Sequence, residues 1–178
     1  MEEDYTLAKS RHFTKIQNAS LLVEEEQNKD VFRYNHLLDR HGFFIEKEYN
    51  QYAANISDLS SKSKVMIIAE SGMGKTYVMD YLAKQFGKES LLDIDAANYL
   101  NRISSLDSLF DSNNQKEIVI IDGIDENPGI ISFLRQRREM LKKKRLFMAS
   151  RNIGNLHNLC QELDLEIYLL LPLSISAI

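Results

Sequence analysis

The chain has a single cysteine, Cys160, so no internal disulfide can form, and the usage fits a reducing compartment. Cys160 lies in a helical pattern and reads as a small apolar residue, not a nucleophile. No apolar stretch approaches the ~20 residues needed to span a bilayer, which excludes a transmembrane helix. The opening Met1-Glu2-Glu3-Asp4-Tyr5 is acidic and does not resemble a secretory signal. A soluble, cytoplasmic protein with no membrane partner is therefore expected. His12, His36, His41 and His157 show no metal-ligand spacing, so no zinc site is expected. With 22 basic and 26 acidic residues the net charge is −4, which argues against general nucleic-acid binding. There is no internal repeat and no low-complexity tract. What remains is 178 residues with 44% hydrophobic content, enough for one domain with a real core.

Between Ala69 and Thr76 the chain reads A-E-S-G-M-G-K-T, directly after the apolar run Val65-Met66-Ile67-Ile68. Strand, glycine-rich turn, Lys-Thr and helical pattern follow in the order of a P-loop. Gly72 and Gly74 allow a tight turn whose N–H groups face phosphate oxygens. Lys75 supplies a cation for the β/γ-phosphates, Thr76 a hydroxyl for Mg²⁺, and the helix N-terminus a positive dipole end. Ala69, Glu70, Ser71, Met73 and Tyr77 complete the expected nucleotide-binding stretch, with the backbone of Glu70, Ser71 and Met73 mattering more than their side chains. The first glycine of G-x-x-x-x-G-K-[ST] is Ala69 here, which is tolerable unless that position needs φ > 0. About fifty residues on, Ile118-Val119-Ile120-Ile121 ends in Asp122-Gly123-Ile124-Asp125-Glu126. A carboxylate at the tip of a buried parallel strand is placed to hold Mg²⁺ opposite the P-loop threonine, so Asp122 is the second metal candidate.

From Val65 onward strands and helices alternate, which predicts an α/β fold of five mainly parallel strands with helices on both faces. The strands are expected at 65–69, 91–94, 117–122, 146–149 and 165–171. Helices are expected from Lys75 to Phe86, over Leu100 to Phe110, from Pro128 to about Lys143, and near 155–162. Gly87 is a natural helix stop and Pro128 a natural start. A segment from Phe43 to Leu59 reads as a helix feeding the core. Residues 1–42 are expected to form a helical N-terminal extension of unreadable role, ahead of a nucleotide-binding domain at 43–178.

Taken together, A-E-S-G-M-G-K-T, I-V-I-I-D-G-I-D-E and F-M-A-S-R-N resemble the STAND class of signal-transduction ATPases, related to AAA+ proteins, and its NACHT branch in particular. The resemblance covers residues 43–178. It implies that ATP or ADP, with Mg²⁺, occupies the P-loop and switches a closed monomer into an oligomeric signalling form, in bacteria often for defence against phage. It also implies that Ser150-Arg151 occupy a sensor position. Leu171-Pro172-Leu173-Ser174 stand where such proteins pass into helical and winged-helix regions. This sequence departs from the pattern in two ways: Gly123 fills the slot where many P-loop ATPases carry glutamate, and the chain stops before the lid. The expectation is a fragment, or a chain whose lid and sensor regions come from a copy of itself or a partner protein.

Glu126 or Asp125 is the candidate for orienting an attacking water, and Arg151 for sensing the γ-phosphate. The plainer readings are helix-capping acids and a surface cation. Arg135, Arg137, Arg138, Lys142, Lys143, Lys144 and Arg145 stand against Glu139 alone. They read as a solvated helix face, with nucleic acid or a neighbouring subunit's nucleotide as the other reading. Asn28-Lys29-Asp30 precedes the P-loop and has Val31 where a guanine-reading motif needs Asp, so ATP is preferred over GTP. Three functions compete: an ATP-dependent switch with slow hydrolysis, a DNA-linked ATPase (a loader or transposition target selector), and a non-catalytic interaction module.

Overall fold

A computed structural model describes residues 6–16, 53–87, 91–96 and 116–171. The expected helix at Leu100 to Phe110 lies outside these residues, as do most of the N-terminal extension and the Pro172–Ser174 exit. A helical turn, α1 (Thr6–Lys9), is followed by strands β1 (His12–Ile16) and β2 (Ala53–Asn55) and helix α2 (Ile56–Ser61). Then come β3 (Lys64–Ile68), α3 (Lys75–Phe86), β4 (Leu91–Asp95) and β5 (Ile118–Asp122). Helices α4 (Pro128–Gln136) and α5 (Arg138–Leu141) lead into β6 (Arg145–Ser150), α6 (His157–Glu162) and β7 (Glu166–Leu170).

The strands form one sheet in the order β2-β1-β7-β3-β6-β5-β4. The five strands expected from the sequence are present and mutually parallel. The sheet has seven strands, however, not five, and it is mixed: β1 runs antiparallel to β7 and β2 antiparallel to β1. The N-terminal stretch is thus not wholly helical. His12–Ile16 is a strand because β7, from the far end of the chain, offers it a register of Phe13 opposite Leu170 and Thr14 opposite Leu169. Five residues with one fully buried side chain, Phe13, carry too little periodicity to announce this. The expected helix at 43–59 is likewise a strand over Ala53–Asn55 before α2 begins. Asn55 starts α2 by a reciprocal cap: its side chain accepts from Asp58 N, and the Asp58 carboxylate accepts from Asn55 N.

The central strands are apolar throughout because both of their faces are covered. Val65 and Ile67 of β3, Ile120 of β5 and Phe147 and Ala149 of β6 pack with Val78, Met79 and Leu82 of α3. Met66, Ile68, Val119, Ile121, Leu146 and Met148 pack on the other face with Ile130, Phe133 and Leu134 of α4 and Leu159 of α6. The two-residue period sends alternate side chains to two cores. Helix α3 has the boundaries expected, and Gly87 ends it at φ 73°. The helix expected from Pro128 to about Lys143 breaks at Arg137 (φ −106°, ψ 15°). There the chain tightens to an i→i−3 bond, Arg137 N to Leu134 O at 3.1 Å.

Candidate functional site

The C-terminal tips of β3, β5 and β6 converge with the N-terminus of α3 around a cleft of about 960 Å³. Its lining includes Ser71, Gly72, Gly74, Lys75, Thr76 and Tyr77 of the glycine-rich stretch, and Asp122, Gly123, Glu126 and Arg151 from the neighbouring strand tips. Gly72 and Gly74 adopt φ of 81° and 86°, and a Cβ on either would meet no atom within 4 Å. Backbone conformation, not space, therefore demands glycine there. Ala69 does not have positive φ, so its substitution for the first glycine of the motif carries no strain. It is buried, and its N–H donates to Ser150 O at 3.1 Å, locking the loop to β6. Lys75 Nζ donates to the carbonyls of Ala69 (2.7 Å) and Glu70 (3.1 Å), which bends the ammonium back over the loop. Burial lowers the Lys75 pKa, against the pull of Asp122 and Asp125. Met73 is not in the lining; it packs against the core beneath the loop.

Thr76 Oγ1 donates to Asp122 Oδ2 at 2.6 Å, across the strand β6 that separates β5 from β3. A strand, a glycine turn with two left-handed residues, a Lys-Thr helix start, and an aspartate-tipped parallel strand against that threonine are now all in place. The fold is that of a P-loop NTPase. No protein-family model matches the chain, and no curated protein does. Among solved structures the chain is similar to the P-loop NTPase domain of the Sigma-54 transport activator from E. coli. The identity is 13% and the TM-score 0.43, over 72% of this chain and 95% of that one. A likeness of that size adds nothing to the architecture described above.

In this P-loop NTPase fold Thr76 and Asp122 present two adjacent hard oxygens, a donor set that suits Mg²⁺. Among the described residues no group of three or more His, Cys, Asp or Glu side chains could hold a metal by itself. The ion would thus take its other ligands from water and phosphate, as Mg²⁺ does.

The structure separates Asp125 from Glu126. Asp125 does not line the cleft, and its side chain is 10% exposed. Its Oδ1 accepts from Ser150 Oγ (3.1 Å) and Arg151 N (3.0 Å), and its Oδ2 accepts from Arg151 Nε (2.7 Å). Burial would raise its pKa, but the hydrogen bonds from Arg151 and Ser150 outweigh that and hold the carboxyl below its ordinary value. Asp125 is thus the anchor of Arg151. Glu126 reaches the cleft and faces Arg151 Nη2 at 3.4 Å. Gly123, at φ 66°, makes this possible: it opens a tight turn, Ile124–Glu126, that brings Glu126 back over it. A Cβ on Gly123 would stand 3.3 Å from the Glu126 carboxyl carbon.

Three acids of the cleft belong to no motif that the sequence displays: Asp80 of α3 and Asp93 and Asp95 of β4. Burial and then Asp122 raise the Asp80 pKa; burial, then Asp80, Asp122 and Asp95, raise that of Asp93. A signal was present, since Asp93-Ile94-Asp95 alternates around a fully buried Ile94 and so puts both acids on one face. Within the basic run Arg137, Lys144 and Arg145 are engaged by the fold, whereas Arg138, Lys142 and Lys143 are exposed. Arg137 lies 4.2 Å over the Phe133 ring, Arg138 and Lys142 face Glu139, and Lys144 donates to Lys116 O. Arg145 donates to Ser60 O and Lys62 O at 2.6 and 2.9 Å. Among the described residues no helix is long and apolar enough to cross a membrane.

Proposed function

We propose that the chain is the ATP-binding core of a STAND/NACHT-like signalling switch that hydrolyses slowly, with bacterial anti-phage defence as its setting. The observation that carries this is the division of labour at the strand tips. Thr76 donates to Asp122, Asp125 fixes Arg151, and Glu126 alone of the acidic pair lines the cleft. On this reading Thr76 and Asp122 hold the metal, Arg151 senses the γ-phosphate that distinguishes ATP from ADP, and Glu126 orients water. Lys75 and Arg151 face five carboxylates, Asp80, Asp93, Asp95, Asp122 and Glu126, so a polyphosphate needs Mg²⁺ to enter. With the adenine preference implied by the family resemblance, the proposed nucleotide is Mg-ATP or Mg-ADP. Mg²⁺, once bound, neutralises phosphate charge. Tyr77 and Met79 are the large apolar-bodied side chains of the lining among the described residues, and on this reading a copy of the chain or a partner protein supplies the lid and sensor regions.

On this reading turnover of the isolated chain is slow, since an arginine from a second subunit is worth roughly 10³–10⁵ in rate where it is used. The DNA-linked ATPase reading is weaker because Arg137, Lys144 and Arg145 of the basic run are engaged within the fold and the net charge is −4. The interaction-module reading is weaker because Lys75, Thr76 and Asp122 are intact and convergent.

A thermal shift with Mg-ATP, Mg-ADP and Mg-GTP on wild type and Lys75→Ala tests the proposal. At a hundred times Kd a ligand adds about 2.7 kcal/mol, or roughly 5–11 °C for a domain of this size. The expected result is a shift with adenine nucleotides that Lys75→Ala and removal of Mg²⁺ both abolish. Brisk ATPase activity of the monomer, or no shift with any nucleotide, refutes it.

A further inference from the structure

Arg11 joins α1 to β1 and is 7% exposed. One terminal nitrogen, Nη2, donates to Met73 O in the P-loop at 2.6 Å. Its Nε is buried with no hydrogen-bond partner, and among the described residues no carboxylate pairs with it. Burial accordingly lowers its pKa. A buried cation with no carboxylate partner among the described residues is expensive, and filling the same space with an apolar side chain would be cheaper. The position calls for another reason to keep a guanidinium.

That reason is visible in the peptide it holds. A trans peptide is planar, with its C=O and N–H antiparallel. Fixing the Met73 carbonyl on Arg11 therefore fixes the Gly74 N–H in the opposite direction. Gly74 lines the cleft, whereas Arg11 and Met73 do not. The guanidinium thus acts from behind the loop, on a peptide next to a glycine at φ 86° that has no side chain to restrain it. The N-terminal segment that carries Arg11 is itself docked, because Ala8 and Phe13 are fully buried in the core shared with Ala69, Val78 and Met79.

We propose that Arg11 is a positioning residue for the phosphate site, presetting the Met73–Gly74 peptide and so coupling the docked N-terminal strand to P-loop occupancy. The link to occupancy rests on the nucleotide-binding reading above; the hold on the loop does not. Linkage is reciprocal, so occupancy tightens the N-terminal strand by the same factor that docking tightens occupancy.

Hydrogen exchange by mass spectrometry on wild type, Arg11→Gln, Arg11→Lys and Lys15→Ala separates the two parts, alongside titration with Mg-ATP. Lys15 pairs with Glu166 and serves as a control on the same strand. Without ligand, Arg11→Gln is expected to speed exchange at 72–76, while Lys15→Ala does not. With Mg-ATP, Arg11→Gln is expected to bind about tenfold more weakly, which is about 1.4 kcal/mol, with part of the loss recovered in Arg11→Lys. Protection of 12–16 by nucleotide should appear in wild type and vanish in Arg11→Gln. Unchanged exchange at 72–76 overturns the proposal, as does unchanged affinity. Faster loop exchange in a chain that binds no nucleotide leaves the hold on the loop standing and refutes the proposed function instead. Should Arg11→Gln fail to fold, Arg11→Lys carries the same readouts.

Discussion

Asp125→Ala tests the claim that this acid is an anchor and not the residue that orients water. The substitution removes the acceptor of Ser150 Oγ and of Arg151 N. Ser150 is fully buried, and its single hydroxyl proton then has only Asn152 O, 2.6 Å away, to serve. Two hydrogen bonds to a largely buried carboxylate are together worth about 1–3 kcal/mol. The Arg151 guanidinium is exposed, and its ion pair is assigned no share of that sum. In urea, with a slope of about 2 kcal/mol/M, the midpoint should fall by about 0.5–1.5 M with the slope unchanged. The pH dependence has a definite sign. The folded-state pKa of Asp125 is depressed. Its contribution is therefore full above the unfolded carboxyl value of ~3.9 and fades as pH falls below that, through the folded pKa. The gap between wild type and Asp125→Ala should accordingly be widest near neutrality and shrink in acid. Releasing Arg151 should also erase any preference for Mg-ATP over Mg-ADP, and Arg151→Ala added to Asp125→Ala should change nothing further in that preference. A gap below about 0.5 kcal/mol at neutral pH, on the order of an ordinary surface substitution, or one that persists unchanged in acid, refutes the anchoring role.

Gly123→Ala must place a side chain at φ 66° and crowd Glu126, so it should lose about 1–2 kcal/mol in denaturant titration. It should also slow ATP turnover by displacing that carboxylate. Asp93→Asn should raise the melting temperature at pH 7. The folded pKa of Asp93 is raised, so its ionised form burdens the fold at neutral pH, and the gain should vanish below ~4, where the carboxyl is protonated in both states. Asn127→Ala should lose about 1 kcal/mol, read by chemical denaturation, because Asn127 Oδ1 caps α4 by accepting from Gly129 N at 3.0 Å. Its Nδ2 also reaches Ala96 O at 3.4 Å, so the tip of β4 should exchange amide hydrogens faster in that variant.

Much of the phosphate site is legible in the order of residues alone, because its chemistry is local. Ala69 to Thr76 is contiguous, and left-handed glycines, a lysine and a threonine at fixed spacing describe one turn and one helix start. Asp122 is legible as the polar end of an apolar strand. The choice between Asp125 and Glu126 is not, since both lie in one short turn and only the position of Ser150 and Arg151 on another strand decides which is occupied. Arg11 carries no sequence signal at all, because its partner is a backbone carbonyl of a segment distant in the chain.

By itself the sequence determined the parallel core and the loop. The central strands β3, β5, β6 and β7 read as apolar runs because both of their faces are covered, and an amphipathic helix from Lys75 to Phe86 ends at a glycine it needs for positive φ. Tertiary structure alone decided the two antiparallel strands and the strand order that sets β6 between β3 and β5. It also decided the acid bank of Asp80, Asp93 and Asp95, and the anchoring of Arg151 and of the loop by Asp125 and Arg11. The physical reason is range. Periodicity and turn chemistry act between near neighbours, whereas a short strand with one buried residue, or a charge whose partner arrives from another element, is determined only once the chain has closed on itself.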